Sequence, residues 1–143
     1  MDVVDNARRS VMMAGIRSKN TQPELRVRQI AHALGYRYRL HRRDLPGSPD
    51  LVFPRLKKVI FVHGCYWHRH AGCRYAYEPK TNANFWADKF RKNQERDKRA
   101  LTDLMSQGWD ALIVWECETR DPEQVQARIA AHLGKAGGDG KQG

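Results

Sequence analysis

No stretch of this chain approaches the roughly 18 consecutive apolar residues that a membrane-spanning helix needs. The polar start of the chain (residues 1–6) also lacks the pattern of a signal peptide, so we expect a cytoplasmic protein with no membrane partner. Acidic residues are few: 16 Asp and Glu stand against 26 Lys and Arg, a formal net charge of +10. This balance favours a polyanionic partner, nucleic acid before an anionic membrane, although a generally basic soluble protein is the alternative.

Cysteine is scarce too. The chain has three cysteines, an odd number, which in a reducing compartment indicates metal binding or free thiols rather than a disulfide framework. A length of 143 residues fits one domain that can bury a core without disulfides.

The spacing of apolar residues predicts an α/β domain over residues 21–133. Its first helix begins at a capping box, with Thr21 as N-cap and Glu24 at the third position, so Glu24 has a structural explanation that competes with a catalytic one. The domain is preceded by a basic N-terminal arm or helix (residues 1–20) and followed by a tail (residues 134–143) without the apolar content to stay ordered. Further predicted elements are strands at 36–40, 50–53, 58–62 and 110–116, and helices at 83–107 and 121–133. The nearly continuous apolar run at 59–62 predicts burial on both faces, and the strand at 110–116 is also predicted to be buried.

The order of these elements predicts one mixed sheet flanked by helices. The first three strands follow one another closely and can form an antiparallel meander. The helix at 83–107 is long enough to be a crossover, which brings strand 110–116 parallel to strand 58–62.

The most unusual segment is residues 63–73, with the sequence HGCYWHRHAGC. It holds three histidines, two cysteines and two large aromatic residues. Imidazole and thiolate bind transition metals, neutral histidine serves as a general base, and aromatic rings stack on bases. We therefore expect both a metal-linked catalytic centre and a DNA contact in this segment.

A carboxylate should lie beside the start of this segment. If strands 50–53 and 58–62 form a hairpin with a loop at residues 55–57, Asp50 lies opposite Val62, with His63 one residue onward. One carboxylate plus the Val62 carbonyl is a plausible minimal Mg²⁺ anchor when phosphates complete the shell, and His63 or His68 can then orient or deprotonate water. The alternative for Asp50 is an ordinary turn carboxylate after Ser-Pro.

A second metal is indicated by Cys65, His70 and Cys73, with Cys117 just beyond strand 110–116. Parallel pairing of the two strands makes Cys65 and Cys117 leave the sheet at the same edge. Three thiolates and one imidazole form a closed, structural zinc site that would brace the loop. Unrelated buried thiols are the alternative.

Four separated stretches carry the motifs of a known family in order: residues 45–50 (LPGSPD), 59–68 (VIFVHGCYWH), 92–97 (KNQERD) and 114–117 (VWEC). They closely resemble the very-short-patch-repair mismatch endonucleases. The resemblance implies a restriction-endonuclease-like fold, catalytic Mg²⁺, a structural Zn²⁺, and nicking of DNA on the 5′ side of the thymine in T·G mismatches that arise when 5-methylcytosine deaminates.

The resemblance also implies roles for individual residues. Catalytic roles fall to Asp50, His63, His68 (the general base) and Glu24; Mg²⁺ binding to Asp50 and the Val62 carbonyl; Zn²⁺ binding to Cys65, His70, Cys73 and Cys117; and DNA insertion to Met13, Tyr66, Trp67 and Trp86. The stretch between His70 and Cys73 is one residue longer than the family pattern, which leaves His68 open as the zinc ligand in place of His70.

The partner expected from this resemblance is double-stranded DNA with a T·G mismatch, bound by a monomer in the bacterial cytoplasm at the nucleoid. Mismatch-repair proteins are candidate further partners. Two rival functions stay open: a restriction-type nuclease that cuts matched duplex, and a zinc-stabilised DNA-binding module without catalysis.

Overall fold

The structure, a computed structural model, describes residues 21–134. The predicted N-terminal arm with Met13, and residues 135–143 of the predicted tail, lie outside the described residues, so the domain limits stay predictions. Across residues 21–134, no helix is both long and apolar enough to cross a membrane.

The elements follow the predicted order. They are α1 (Gln22–Ala33), β1 (Arg39–Leu40), β2 (Leu51–Phe53), β3 (Lys58–His63), α2 (Ala83–Ser106), β4 (Asp110–Trp115), a 3₁₀ helix (Glu116–Arg120) and α3 (Pro122–Leu133). The strand predicted at 36–40 is shorter, with two residues. The Tyr36 amide still donates to the Ala31 carbonyl at the end of α1 (3.1 Å), so pairing with the sheet begins only at Arg39.

The sheet is mixed, as the sequence predicts, with the order β1-β2-β3-β4. β1–β2 and β2–β3 pair antiparallel, and α2 connects β3 to its parallel neighbour β4. One detail of the prediction is wrong. The pair Phe53↔Lys58 closes a loop of residues 54–57, one residue longer than expected, so the register continues to Asp50 opposite Phe61 rather than Val62.

Two apolar layers cover the sheet on opposite faces, because neighbouring strand residues point in opposite directions. Ile60 of β3 packs with residues of α1 and α3, while Val59 and Phe61 pack with Leu104 of α2. β3 is buried on both faces, as predicted. In β4 only Val114 is buried, although the sequence predicts a buried strand there, because β4 lies at one edge of the sheet.

The loop that carries Asp50 is held against α2 by a glycine. Gly47 has a φ of +75°, and a Cβ there would lie 2.8 Å from the Cβ of Ala100. Both the positive φ and the close approach require glycine. The LPGSPD motif therefore fixes the path of the chain into β2, just before which Asp50 lies.

Candidate active site and metal centre

Asp50 lies at the end of the sheet where β3 finishes. Its Oδ2 accepts a hydrogen bond from the Val62 amide at 2.7 Å. Burial raises the pKa of Asp50 to about 7, against the effect of this hydrogen bond, and the neighbouring Glu24 charge raises it further. Asp50 is thus a buried carboxylate that a cation would stabilise in its ionised form. Metal binding by the Val62 carbonyl stays a prediction.

Glu24 is buried in the first turn of α1, with 2 % of its surface exposed. Its backbone amide donates to the side chain of Thr21 (3.3 Å), which supports the predicted N-cap. Its carboxylate contacts Arg28 and His41, the latter at 2.6 Å. Glu24, His41 and Asp50, which we call the acidic cluster, have ligand atoms that all lie within 4.8 Å of one another.

His63 and His68, which we call the histidine pair, stack with ring centroids 3.8 Å apart and planes 7° from parallel. Burial, together with the charge of His68, lowers the pKa of His63 to about 3, so the buried ring is neutral at neutral pH. Within residues 21–134, the buried Nδ1 of His63 has no hydrogen-bond partner.

Asp97 orients the second ring of the histidine pair. Nδ1 of His68 lies 2.7 Å from Oδ2 of Asp97. An ionised Asp97 favours the tautomer with the proton on Nδ1, which leaves Nε2 of His68 able to accept a proton. Asp97 lies in the KNQERD motif, but a role for it was not apparent from the sequence, since the contact joins residues 29 positions apart.

The acidic cluster and the histidine pair form one site. The His68 ring stacks on His63, the last residue of β3. The Val62 amide, bonded to Asp50, immediately precedes His63. The structure thus brings together Glu24, Asp50, His63 and His68, and their individual roles stay predictions.

The four predicted zinc ligands also come together. Ligand atoms of Cys65, His70, Cys73 and Cys117, which we call the thiol cluster, all lie within 4.8 Å of one another. Nδ1 of His70 lies 3.7 Å from Sγ of Cys65 and 3.4 Å from Sγ of Cys117. A tetrahedral ion with zinc–ligand bonds of ordinary length would set these separations at about 3.6 Å. The donor set fits zinc in both chemistry and spacing.

The backbone at Arg69 separates His68 from His70. Arg69 has a φ of +55°, and the two histidines that flank it enter different groups. His70 faces the thiols, whereas His68 faces Asp97. The sequence left His68 open as the zinc ligand in place of His70. The arrangement favours His70 as the fourth ligand.

Burial raises the pKa of the Cys65 thiol to about 12, and side-chain hydrogen bonds with Cys117 and Cys73 also raise it. A thiol in this setting holds its proton unless a cation replaces it. A bound metal ion deprotonates coordinating thiols, so metal binding and proton release are coupled at this cluster.

Trp115, the last residue of β4, contacts one residue of the histidine pair, His63, and one residue of the thiol cluster, His70. Its ring stacks on His70 at 4.2 Å and meets His63 edge-on at 5.3 Å. The parallel pair His63↔Trp115 explains this position. The sequence predicts no role for Trp115. Its position in the VWEC motif, two residues before Cys117, is the one feature that indicates it lies near the metal ligands.

The three aromatic residues among the four predicted for insertion, Tyr66, Trp67 and Trp86, form one aromatic cluster on the loop and the start of α2. Trp67 lies 5.1 Å from Tyr66 and 5.8 Å from Trp86, between ring centroids. Buried Phe90 supports all three rings from α2. Phe85 beside Trp86 has 59 % of its surface exposed, so apolar surface extends beyond the predicted residues.

Arg69 holds the segment that bears these rings. Its guanidinium lies 4.1 Å from the centroid of Phe90 and 5.3 Å from that of Tyr66. It also donates to the carbonyls of Tyr66 and Ala76 and to the carboxylate of Glu78. The sequence gives no signal for this role of Arg69, because its carbonyl and ring partners come together only in the fold.

Comparison with known proteins finds similar sequences. Residues 1–74 match the family model described as DNA mismatch endonuclease Vsr. The type II nicking enzyme V.XorIIP of Xanthomonas oryzae pv. oryzae is 47 % identical over 128 residues, which cover 90 % of this chain and 93 % of that protein. The DNA mismatch endonuclease Vsr of Escherichia coli is 41 % identical over 124 residues, 87 % of this chain and 79 % of that protein.

Proposed function

Because the chain belongs to the Vsr family of DNA mismatch endonucleases, we propose that it nicks one strand of duplex DNA on the 5′ side of the thymine in T·G mismatches. Membership of this family makes the protein a DNA endonuclease. The mismatch, the position of the nick and the use of Mg²⁺ are our proposal. The mismatches would arise by deamination of 5-methylcytosine.

One observation carries the proposal: a buried carboxylate and an oriented histidine both lie beside the end of β3. Asp50 accepts a hydrogen bond from Val62 at 2.7 Å, and His68 is held by Asp97 at 2.7 Å. Hydrolysis of a phosphodiester needs a cation beside the phosphate and a base beside the attacking water. The acidic cluster offers oxygen ligands to the first, and Nε2 of His68 is suited to the second.

The chain's own groups then have separate tasks. Asp50, with the Val62 carbonyl, would hold the magnesium ion, and Glu24 would orient water beside it. Bound Mg²⁺ would neutralise charge on the scissile phosphate and on the leaving oxygen. His68 would accept a proton through Nε2 while Asp97 keeps the ring in place. Neutral His63 would support the His68 ring by stacking.

Specificity for a mismatch would come from the aromatic cluster. Insertion of Tyr66, Trp67 and Trp86 into the duplex costs a few kcal/mol per unstacked step, and this cost is smallest at a mispaired base. Their ring contacts, supported by Phe90, hold the side chains together on one surface. Met13, which lies outside the described residues, is proposed to enter from the other groove.

Further parts of the proposal are a restriction-endonuclease-like fold, Zn²⁺ in the thiol cluster, and action as a monomer on nucleoid DNA in the cytoplasm. The mixed sheet with helices on both faces is compatible with that fold. The spacing of the four ligands supports zinc. Mismatch-repair proteins are proposed as partners on the family resemblance alone.

A single-turnover nicking assay with Mg²⁺ tests this function. We expect a labelled duplex with one T·G mismatch to be nicked 5′ of the thymine, and the matched T·A duplex to stay intact. Asp50→Asn should slow nicking by about a thousandfold, as loss of one key electrostatic contact does. Asp44→Asn, a change at an exposed aspartate of the same loop that pairs with Arg42, is the control and should nick normally.

The other outcomes identify the rival functions. Equal nicking of both duplexes would make the protein a restriction-type nuclease. Tight binding without any nick would make it a zinc-stabilised DNA-binding module. Unchanged nicking by Asp50→Asn would remove Asp50 from the mechanism.

A further inference from the structure

His41 contacts both carboxylate residues of the candidate active site. Its Nε2 lies 2.6 Å from Oε2 of Glu24. Its backbone amide donates to the carbonyl oxygen of Asp50 at 3.2 Å. Glu24 is buried, and 22 % of the His41 side chain is exposed. Neither the family resemblance nor the relatives' names give His41 a role.

The position of His41 follows from the sheet. β1 pairs with β2 through Leu40↔Leu51, so the next step outward places His41 beside Asp50. A φ of +47° at His41 marks a change of chain direction immediately after the strand. One residue is therefore tied to Asp50 through the backbone and to Glu24 through the side chain, and it links the end of β1 to the first turn of α1.

The 2.6 Å separation indicates a hydrogen bond rather than shared coordination of one ion. Two neighbouring ligand atoms on an octahedral Mg²⁺ lie about 3 Å apart, and Mg²⁺ prefers oxygen to imidazole nitrogen. The guanidinium of Arg28 donates to the same carboxylate oxygen from the next turn of α1. Arg28 lies on the same helix as Glu24, whereas His41 follows β1 and is also bonded to the backbone of Asp50. His41 therefore connects Glu24 to Asp50.

We propose that His41 is a positioning residue, which donates Nε2–H to Glu24 and keeps this carboxylate beside Asp50 so that both can hold the water shell of one divalent cation. The inference rests on the proposed Mg²⁺ site. Outer-shell partners of this kind change metal affinity by about 10–100-fold when they are removed. Since Arg28 still holds Glu24, we expect the lower end of that range.

The test measures metal binding apart from catalysis. Mn²⁺ is titrated into the zinc-loaded full chain without DNA, and free Mn²⁺ is followed by electron paramagnetic resonance. His41→Ala should weaken binding about tenfold, and His41→Gln, whose side-chain amide can also donate to Glu24, should recover most of the loss. His32→Ala is the control. It removes an exposed histidine from the last turn of α1, the helix that carries Glu24, and should leave the Mn²⁺ affinity unchanged.

Nicking provides the second readout. His41→Ala should raise the Mg²⁺ concentration for half-maximal nicking by a similar factor, with little change in rate at saturating Mg²⁺. The double variant Glu24→Gln/His41→Ala should bind Mn²⁺ no more weakly than Glu24→Gln, because His41 acts through Glu24.

Three results would overturn the proposal: unchanged Mn²⁺ affinity in His41→Ala, additive losses in the double variant, or a ¹⁴N coupling on bound Mn²⁺ that disappears in His41→Gln. The last would make His41 a direct ligand. Failure of the proposed function looks different, since Mn²⁺ binding would then respond to His41 while mismatched DNA stays uncut or matched DNA is cut equally well.

Discussion

Two clusters of ligand atoms lie beyond the same end of the sheet, and they are built in opposite ways. The thiol cluster has four soft or borderline ligands, which a single tetrahedral ion would use completely. The acidic cluster has two carboxylates, one of them hydrogen-bonded to His41, and these are too few to fill the shell of a hard cation. The first arrangement is closed and suits bracing, and the second leaves positions open for water and phosphate.

The separation of the thiol cluster from the histidine pair depends on alternate residues of one short segment. His68 faces Asp97 and His70 faces the thiols, while the ring of Trp115 contacts His63 on one side and His70 on the other. Under the proposed function, ligands that follow β3 and β4 would hold a structural metal, and the remaining histidines of the same loop would take part in catalysis.

The largest expected effect comes from loss of a ligand of the thiol cluster, and it distinguishes the structural role of that cluster from the catalytic role of the acidic cluster. Cys117→Ser should abolish stoichiometric zinc binding and lower the free energy of unfolding by several kcal/mol, since structural zinc contributes on the order of 10 kcal/mol of binding energy in small domains. Zinc content by atomic absorption and chemical denaturation measure this. Asp50→Asn should keep full zinc content, and equal zinc loss in both variants would contradict two independent clusters.

Substitution of His68 should change the rate of nicking and leave the zinc content unchanged. His68→Ala should slow nicking at saturating Mg²⁺ by about 10²–10⁴-fold, the range for loss of a general base. Asp97→Asn should slow it less, because the base remains but its favoured tautomer is lost. Single-turnover rates with zinc content measured in parallel check this. Loss of zinc in His68→Ala would instead place His68 among the structural ligands.

The aromatic cluster should act on DNA without affecting either metal. Trp67→Ala should weaken binding of the T·G duplex by about 1–3 kcal/mol, the contribution of one stacked ring. Fluorescence anisotropy on an inactive Asp50→Asn background measures it. Met105→Ala, which trims an apolar side chain with 75 % exposure near the other end of α2, is the control and should bind normally. Equal weakening in the two variants would argue against insertion.

The two clusters should differ in how metal affinity depends on pH. Mg²⁺ must displace a proton from Asp50 below its pKa of about 7, so affinity should fall about tenfold per pH unit below that value and be level above it. Zinc must displace protons from several thiols, including Cys65, whose pKa burial raises to about 12. Its affinity should therefore change more steeply, by more than one proton per ion. Isothermal titration in buffers of different ionisation enthalpy counts these protons, and equal counts would remove the distinction.

A further difference concerns stability without Mg²⁺. The raised pKa of Asp50 stabilises the fold below about pH 4, and this contribution is lost as pH rises through about 7. Asp50→Asn should escape the loss and, relative to the parent, gain about 4 kcal/mol between pH 4 and pH 8, since each unit of pKa difference corresponds to about 1.4 kcal/mol. Urea denaturation of the zinc-loaded, magnesium-free proteins measures it. A constant difference across this range would show that folding does not raise the pKa of Asp50.

Local chemistry made much of the fold predictable. Thr21 with Pro23 marks the start of α1, Gly35 follows its end, and the length of α2 requires a crossover to a parallel strand. These signals act within a few residues or through chain length, so they can be read without coordinates. The same reasoning placed Cys65 and Cys117 together, because parallel strands end at the same edge.

What the sequence determined by itself was the inventory of chemistry and its order along the chain: a basic polypeptide, an α/β arrangement, and one segment with two kinds of metal ligand. Beyond the meeting of Cys65 and Cys117, the tertiary structure decided which groups contact one another. A loop one residue longer than expected moved Asp50 opposite Phe61, and contacts across 17 and 29 positions joined His41 to Glu24 and His68 to Asp97. Such pairings depend on the register of the sheet and the packing of helices against it, which residue spacing along the chain does not fix.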